Sequence, residues 1–237
     1  MKLFKPQIPK RSLDYVVTGT GRCGTVYMAR LLTSLGFPCT HEAVFTPTGI
    51  RRDSIVKKVY VVGRENWFPI NQNPDVWVTK QDKVVAESSY LAAPYLAELD
   101  SSKVIHIVRN PVDTISSLLQ EFIYFRERPN SDSSVYHKFI YEHVPSLNQD
   151  LDPILRTCLF YVEWNELIER QKPDLLYPVE SDVKVLMDFL GVDKNSYYTN
   201  RRCNIGGSRK TLTQIPEGKI KDRLIAMAER YGYTINI

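Results

Sequence analysis

The stretch Val16–Met28, which reads VVTGTGRCGTVYM, constrains the fold of this chain more than any other. A β-branched run leads into a loop that holds three glycines, Gly19, Gly21 and Gly24. After the loop, apolar residues recur with helical spacing at Met28, Leu31, Leu32 and Leu35, and Gly36 follows as a helix-ending residue would. The pattern predicts a strand, a glycine-rich turn and a helix packed on a sheet.

The rest of the chain repeats this alternation of strands and helices. Further strands are expected at 84–86, 103–108 and 174–180, and helices after 89 and at 111, 153, 183–190 and 216–231. The alternation predicts an α/β fold of the P-loop-NTPase-like, three-layer type, with a mostly parallel sheet and helices on both faces. We expect one domain over 1–237. Within it, 120–151 is polar, aromatic and poorly periodic, and is interpreted as a lid or acceptor-side insertion rather than core.

The glycine loop has the chemistry of a phosphate site. A strand-to-helix turn presents backbone N–H groups and the positive end of the helix to an anion. Thr25 adds a hydroxyl, and Arg22 adds a permanent charge with forked donors. Packing alone also produces such turns, but several of these features coincide within seven residues here. The loop therefore predicts phosphate binding.

The loop lacks the lysine that triphosphate-binding loops place after their last glycine, because Gly24 is followed by Thr25 and Val26. The clearest strand, KVIHIV at 103–108, ends in Arg109, where a metal-binding acid is expected in a triphosphate enzyme. An arginine there suits a second anion and repels a cation. The two positions together indicate a nucleotide with separate anionic groups and no required metal.

The segments GTGRCGTVYMARLL and HIVRNPVDTISSLL resemble the two donor-binding motifs of the sulfotransferase family. The resemblance implies transfer of a sulfuryl group from 3′-phosphoadenosine 5′-phosphosulfate (PAPS) to a hydroxyl or amine, with PAPS as donor co-substrate. It implies that the 5′-phosphosulfate is held by the first motif, at Arg22, Cys23, Gly24, Thr25 and Val26. It also implies that Arg109 and Ser117 hold the 3′-phosphate. Cys23 stands where the family usually has serine, which leaves its contribution to the backbone.

The general base is expected in the cleft beyond the strand ends. The segment THEAVF follows the second apolar run and resembles the segment that supplies a glutamate base in some bacterial sulfotransferases. Glu42 is therefore the favoured base and His41 the alternative, each weighed against a role in capping or loop tethering. Arg22 is expected to stabilise the charge on the leaving group.

Other polar residues are weaker candidates. His106 alternates with isoleucines inside a strand and is expected to be a hydrogen-bonded core histidine, whereas His137 and His143 are expected at the surface. The run Glu87–Ser89 follows a strand and can touch donor or acceptor. The basic stretch RRCNIGGSRK at 201–210 offers Arg202, Arg209 and Lys210 to the 3′-phosphate, or is a solvated loop, as charge runs usually are.

Charge and composition narrow the range of partners. The net charge of +4 fits a small anionic ligand and is too weak and too evenly spread for a nucleic-acid surface. The sequence contains no run of 18 apolar residues, so no membrane span is predicted. The four cysteines lack the paired spacing of a metal site or redox motif, which indicates reduced thiols in a cytoplasm-like compartment. The acceptor is expected to be a carbohydrate or other small alcohol. The sequence is compatible with a homodimer but does not determine the oligomeric state.

Two other functions compete with sulfuryl transfer. A P-loop kinase that uses ATP is disfavoured by the missing lysine and metal-binding acid. The other alternative is a non-catalytic module on the same fold that binds a nucleotide or a glycan. If this alternative is right, the donor should bind but no group should be transferred. The sequence does not select the acceptor.

Overall fold

The computed structural model describes residues 13–50, 84–99, 102–121, 134–193 and 218–235. Five of the strands are β1 (Tyr15–Thr18), β2 (Cys39–His41), β5 (Ala86–Ser88), β6 (Lys103–Val108) and β7 (Leu175–Pro178). They form one sheet in the order β2–β5–β1–β6–β7, and every neighbouring pair of strands is parallel. A short antiparallel hairpin, β3 (Phe45–Thr46) and β4 (Gly49–Ile50), follows β2.

Six α-helices and one 3₁₀-helix occur in the described part of the chain. They are α1 (Thr25–Ser34), the 3₁₀-helix Tyr90–Glu98, α2 (Pro111–Glu121), α3 (Ser134–His143), α4 (Pro153–Glu169), α5 (Val183–Leu190) and α6 (Lys219–Arg230). None of these helices is both long enough and apolar enough to cross a membrane.

Alternate residues along each central strand face opposite layers of helices. On β1, Val17 packs in one core cluster with α1 and α5, whereas Val16 packs in another with the 3₁₀-helix, α3 and α4. On β6, Ile105 and Ile107 face the α1 layer, and Val108 packs with α2, α4 and α6. This period of two is expected of strands covered on both faces. The predicted α/β class, with a parallel sheet between two helical layers, is confirmed.

The connections place a topological switch point between β1 and β6. The chain leaves β1 through α1 on one face of the sheet, and leaves β6 through α2 on the other face. Neighbouring parallel strands whose connections diverge leave a crevice at their carboxyl ends, which is where open α/β sheets bind ligands. The glycine loop and Arg109 both lie at this edge.

Most of the predicted elements occur where the sequence placed them. The first helix ends in a Schellman arrangement, in which the N–H of Phe37 bonds Leu32 O at 2.9 Å and Gly36 has a φ of 91°. The helix expected at 111 is present as α2, and Asn110 Oδ1 caps it by accepting the N–H of Val112 at 3.0 Å. The strand expected at 84–86 instead runs from Ala86 to Ser88.

One expectation about the segment 120–151 is wrong for its described portion. The segment contributes to the core, because Phe139, Ile140, Val144 and Leu147 are buried in the cluster that also holds Trp164. The surface placement expected for the two histidines of α3 also fails. His137 is buried, and the half-buried ring of His143 packs on Phe139. The apolar side of α3 needs a partner, and α4 and the 3₁₀-helix supply it.

Candidate anion-binding site

The glycine loop lies directly against the neighbouring strand. A Cβ on Gly19 would stand 2.2 Å from Ile107 O, so only glycine fits at this point of closest approach. Gly24 has a φ of 114°, and a Cβ there would stand 3.0 Å from Val179 Cγ2. These two glycines let the loop turn tightly over the end of β6. The loop is thereby brought next to the residues that follow β6.

The amino terminus of α1 carries no side-chain cap. Its N-cap position is Gly24, no side chain hydrogen-bonds there, and no acidic residue stands in its first turn. By contrast, side chains cap the 3₁₀-helix, α2, α4 and α5, through Ser89, Asn110, Asp152 and Asp182. The backbone N–H groups and positive dipole of α1 therefore face the crevice without a side-chain cap from the described residues.

Arg22 adopts an unusual backbone conformation in this loop. Its φ is 69°, in the left-handed region that costs a non-glycine residue on the order of 1–2 kcal/mol. Its Nε donates to Ser117 Oγ on α2 at 3.0 Å. This conformation of Arg22 directs its guanidinium across the crevice to the helix that follows β6. Backbone strain of this kind is concentrated at functional sites.

Arg109 joins the same group of side chains from the end of β6. Its Nη1 donates to Arg22 O at 3.4 Å, and its side chain is 17% exposed. Carboxylates of Asp113 and Glu180 stand 3.5 and 4.0 Å from the guanidinium, which are loose ion pairs. Arg22, Arg109 and Ser117 therefore form one cluster, here called the arginine cluster, although the sequence assigned them to two motifs.

A second group of predicted residues lies on the other side of the loop. Thr25 Oγ1 and His41 Nε2 are 3.1 Å apart, and His41 Nε2 stands 3.8 Å from Glu42 Oε1. Glu42 has a φ of 52°, so it too adopts the left-handed region at a strand end. Ser88 Oγ donates to Thr25 O at 2.8 Å and fixes the first residue of α1 on β5. His41 thus contacts the same helix end that Arg22 precedes, and Glu42 lies beside His41.

Glu87 is a buried carboxylate whose importance the sequence only hinted at. Its Oε1 accepts the N–H groups of Ala43 at 2.8 Å and Val44 at 3.1 Å, and its Oε2 accepts the hydroxyl of Thr40. Burial raises the pKa of Glu87 to about 7, and its hydrogen bonds oppose that rise. No local signal marks it, because its partners lie more than 40 residues away.

Two other residues considered in the sequence analysis, His106 and Cys23, have buried side chains. His106 is buried and its Nε2 lies 2.9 Å from Asn165 Oδ1, as expected of a core histidine; burial lowers its pKa to about 4. The Cys23 side chain is buried under the loop, and desolvation raises the pKa of its thiol to about 12. A thiol in that state is neither a nucleophile nor a strong donor, which leaves the Cys23 backbone as its contribution.

The arrangement brings hydrogen-bond donors and positive charge together along one sheet edge, which is the chemistry that an anionic group needs. The uncapped end of α1 and the arginine cluster combine backbone donors with two guanidinium groups at the switch point. From the end of β2, the imidazole of His41 contacts the first residue of α1, and Glu42 lies beside it. No group of three or more His, Cys, Asp or Glu side chains suited to a metal occurs among the described residues. The predicted donor contacts Arg202, Arg209 and Lys210 lie outside the described residues.

Comparisons with known proteins add a fold-level likeness. No protein-family model matches the chain, and no curated protein matches it. Among solved structures, the chain is similar to a sulfotransferase from Alicyclobacillus acidocaldarius, with 14% identity over 93% of each chain and a TM-score of 0.44. That likeness is too distant to carry an argument about activity, so function is inferred from the site itself.

Proposed function

We propose that this chain is a PAPS-dependent sulfotransferase that transfers a sulfuryl group to a hydroxyl or amine of a carbohydrate or small alcohol. The observation that carries the proposal is the arginine cluster beside an uncapped, lysine-free phosphate loop. Arg22 and Arg109 supply fixed positive charge on both sides of the crevice at the switch point, where a nucleotide with two separate anionic groups can bind without a metal. One domain over 1–237 performs the reaction, with part of 120–151 on the acceptor side.

The positions of the loop residues support the roles proposed for them. Backbone N–H groups at 23–26 and the Thr25 hydroxyl bind the 5′-phosphosulfate at the positive end of α1. Arg109 and Ser117 bind the 3′-phosphate. Because Arg22 Nε reaches Ser117 Oγ at 3.0 Å, Arg22 bridges the two anionic groups and stabilises the charge that develops on the leaving phosphate.

Proton transfer is assigned to the group at the end of β2. The acceptor oxygen attacks sulfur, the bond from sulfur to the bridging phosphate oxygen breaks, and the acceptor proton passes to Glu42, with His41 as the alternative base. Sheet spacing supports this order, because β2 lies two strands from β1, on the side opposite β6. The 3′-phosphate end of the donor and the base thus lie on opposite sides of the phosphosulfate.

The test is the thermal stability of the protein with 3′,5′-adenosine bisphosphate in EDTA. We expect a rise in Tm at saturating ligand, because binding to the folded state alone stabilises it. Arg109→Ala should abolish the rise, and the matched control Arg230→Ala, on an exposed pair with Glu169, should retain it. A wild-type protein that responds to ATP only with magnesium would instead support the kinase.

The base assignment has its own test. Glu42→Gln should leave binding of the bisphosphate intact and lower transfer by about 10²-fold or more. Transfer is followed with labelled PAPS against a panel of sugar and alcohol acceptors. Full transfer by Glu42→Gln together with loss in His41→Gln would move the role of base to His41. Bisphosphate binding without transfer to any acceptor would support the non-catalytic module.

A further inference from the structure

The carboxyl end of β5 holds the two halves of the candidate site at a fixed spacing. This strand lies between β2 and β1 in the sheet, and its last two residues point to opposite faces. Ser88 donates to Thr25 O at the start of α1, and Glu87 accepts hydrogen bonds from the turn after β2. The strand therefore connects the phosphate loop to the segment that carries Glu42.

Strand register explains why these contacts form. Thr40 pairs with Glu87 across β2 and β5, and His41 pairs with Ser88. The first pair bonds side chain to side chain on one face, where Val44 and Phe45 are buried. The second pair lies on the other face, where both His41 and Ser88 contact Thr25. One register thus sets both sets of contacts.

We propose that Glu87 is a positioning residue, whose carboxylate fixes the Ala43–Val44 backbone and so holds the left-handed turn at Glu42 in place for proton transfer. This inference rests on the function proposed above. Glu42 has a φ of 52°, an unfavourable conformation for a glutamate that the surrounding contacts must maintain. The two N–H groups that Glu87 accepts follow Glu42 immediately and restrain the chain on its carboxyl side.

Glu87 does not act as the base itself. It is fully buried, and both of its oxygens already have partners, two backbone N–H groups on Oε1 and the Thr40 hydroxyl on Oε2. An acceptor cannot reach a carboxylate in this setting without breaking those bonds. A buried carboxylate with three donors around it is instead suited to orienting backbone.

Two substitutions separate the reach of the Glu87 side chain from its charge. Glu87→Gln keeps an oxygen at the position of Oε1 and loses the charge. Glu87→Asp keeps the charge and shortens the side chain by roughly 1.5 Å, one carbon–carbon bond, which removes contact with both N–H groups. Glu229→Asp, on the exposed side of α6, is the matched control for the same chemical change.

The first readout is hydrogen exchange at the amides of Ala43 and Val44. In Glu87→Asp we expect exchange at least about tenfold faster, the effect of losing a hydrogen bond to a charged group. Glu87→Gln and Glu229→Asp should exchange at the wild-type rate. Unchanged exchange in Glu87→Asp would overturn the proposal whatever the activity of the protein, because the carboxylate would then not hold this turn.

The second readout separates turnover from binding. In Glu87→Asp we expect a fall in kcat of about 10²-fold, the effect of moving a catalytic group by about 1 Å, with unchanged affinity for 3′,5′-adenosine bisphosphate. Glu87→Gln should retain most of the wild-type kcat. A wild-type kcat in Glu87→Asp together with a loss in Glu87→Gln would show that the charge of Glu87, rather than its reach, is needed, and would overturn the positioning role. Failure of the wild type to bind the bisphosphate would reject the sulfotransferase, while the exchange result would still decide the role of Glu87 in the turn.

Discussion

The helices α1 and α2 begin at the same edge of the sheet, yet their amino termini differ in kind. Both follow neighbouring parallel strands, β1 and β6. The α2 terminus is completed internally, by the Asn110 cap and by Asp113 in its first turn. The α1 terminus has a glycine at the cap, no acid in its first turn and an arginine just before it. The chain thus caps the α2 terminus with its own side chains, whereas no side chain of the described residues caps α1, and the proposed anion would complete that end.

This comparison also explains the position of the two arginines. Arg109 precedes α2 and pairs loosely with Asp113 of that helix, while its Nη1 reaches back to Arg22 O before α1. Arg22 reaches in the other direction, to Ser117 on α2. Each arginine therefore spans the crevice between the two helix ends. Anion binding at this site is accordingly expected to depend on both helices rather than on the glycine loop alone.

The largest expected effect comes from separating the α1 loop from β6. In Gly19→Ala the new methyl group would meet Ile107 O at 2.2 Å, so the loop must move. We expect a loss of about 3 kcal/mol or more in the free energy of unfolding, measured by urea denaturation, because overpacked backbone cannot relax cheaply. Gly36→Ala is the control, since no atom lies within 4 Å of its Cβ position and only its φ of 91° is unfavourable. Equal losses in the two variants would contradict the close-approach argument.

A negative charge in the first turn of α1 should affect the stability of the protein and its affinity for an anion in opposite directions. Val26→Asp adds an acid to the first turn of α1, which should leave Tm unchanged or raise it, since such acids stabilise helices by about 0.3–1 kcal/mol. The same charge repels an anionic ligand, so affinity for 3′,5′-adenosine bisphosphate should fall at least about tenfold, equivalent to about 1.4 kcal/mol. Val26→Asn is the control of similar size without charge. Wild-type affinity in Val26→Asp would place the anion elsewhere.

The smallest expected effect is at the helix end that is already complete. Asn110→Ala removes the side chain that accepts the N–H of Val112 and should cost about 1 kcal/mol of stability. Asn110→Asp retains an acceptor and should preserve stability, which denaturation curves of the two variants can compare. An Asn110→Ala protein as stable as the wild type would mean that the cap of α2 contributes nothing, and the contrast with α1 would lose its basis.

Local sequence patterns were sufficient to predict the frame of the fold. The apolar, β-branched sequence of β6 is typical of a buried parallel strand. Asn110 and Asp152 at helix starts and Gly36 at a helix end act on backbone groups within one helical turn, so their effect can be inferred locally. The arginine cluster was predicted only in part. Arg22, Arg109 and Ser117 were identified by motif, but the bond between Arg22 and Ser117 joins residues 95 positions apart. Such a contact depends on the packing of α2 beside the loop.

Contacts that depend on how strands pair and helices pack could not be predicted in the same way. Glu87 looks like any glutamate after a strand until β2 pairs with β5 and brings Thr40 beside it. The burial of α3 was missed because its apolar residues are mixed with charges and aromatic rings, so the helical stripe is weak in the sequence. The ring of Phe139 packs against Tyr95 and Trp164, which come from other elements of the fold.

The central claim is that two anionic groups of one nucleotide bind at this sheet edge without a metal, and calorimetric titration in EDTA tests it most directly. The account predicts that 3′,5′-adenosine bisphosphate binds the wild-type protein at least about tenfold more tightly than adenosine 5′-monophosphate, because each charge-assisted contact to the second phosphate contributes about 1.5–3 kcal/mol. Arg109→Ala should remove that difference and Arg230→Ala should keep it. Equal affinity for the two nucleotides in the wild type, or binding that requires magnesium, would contradict the account.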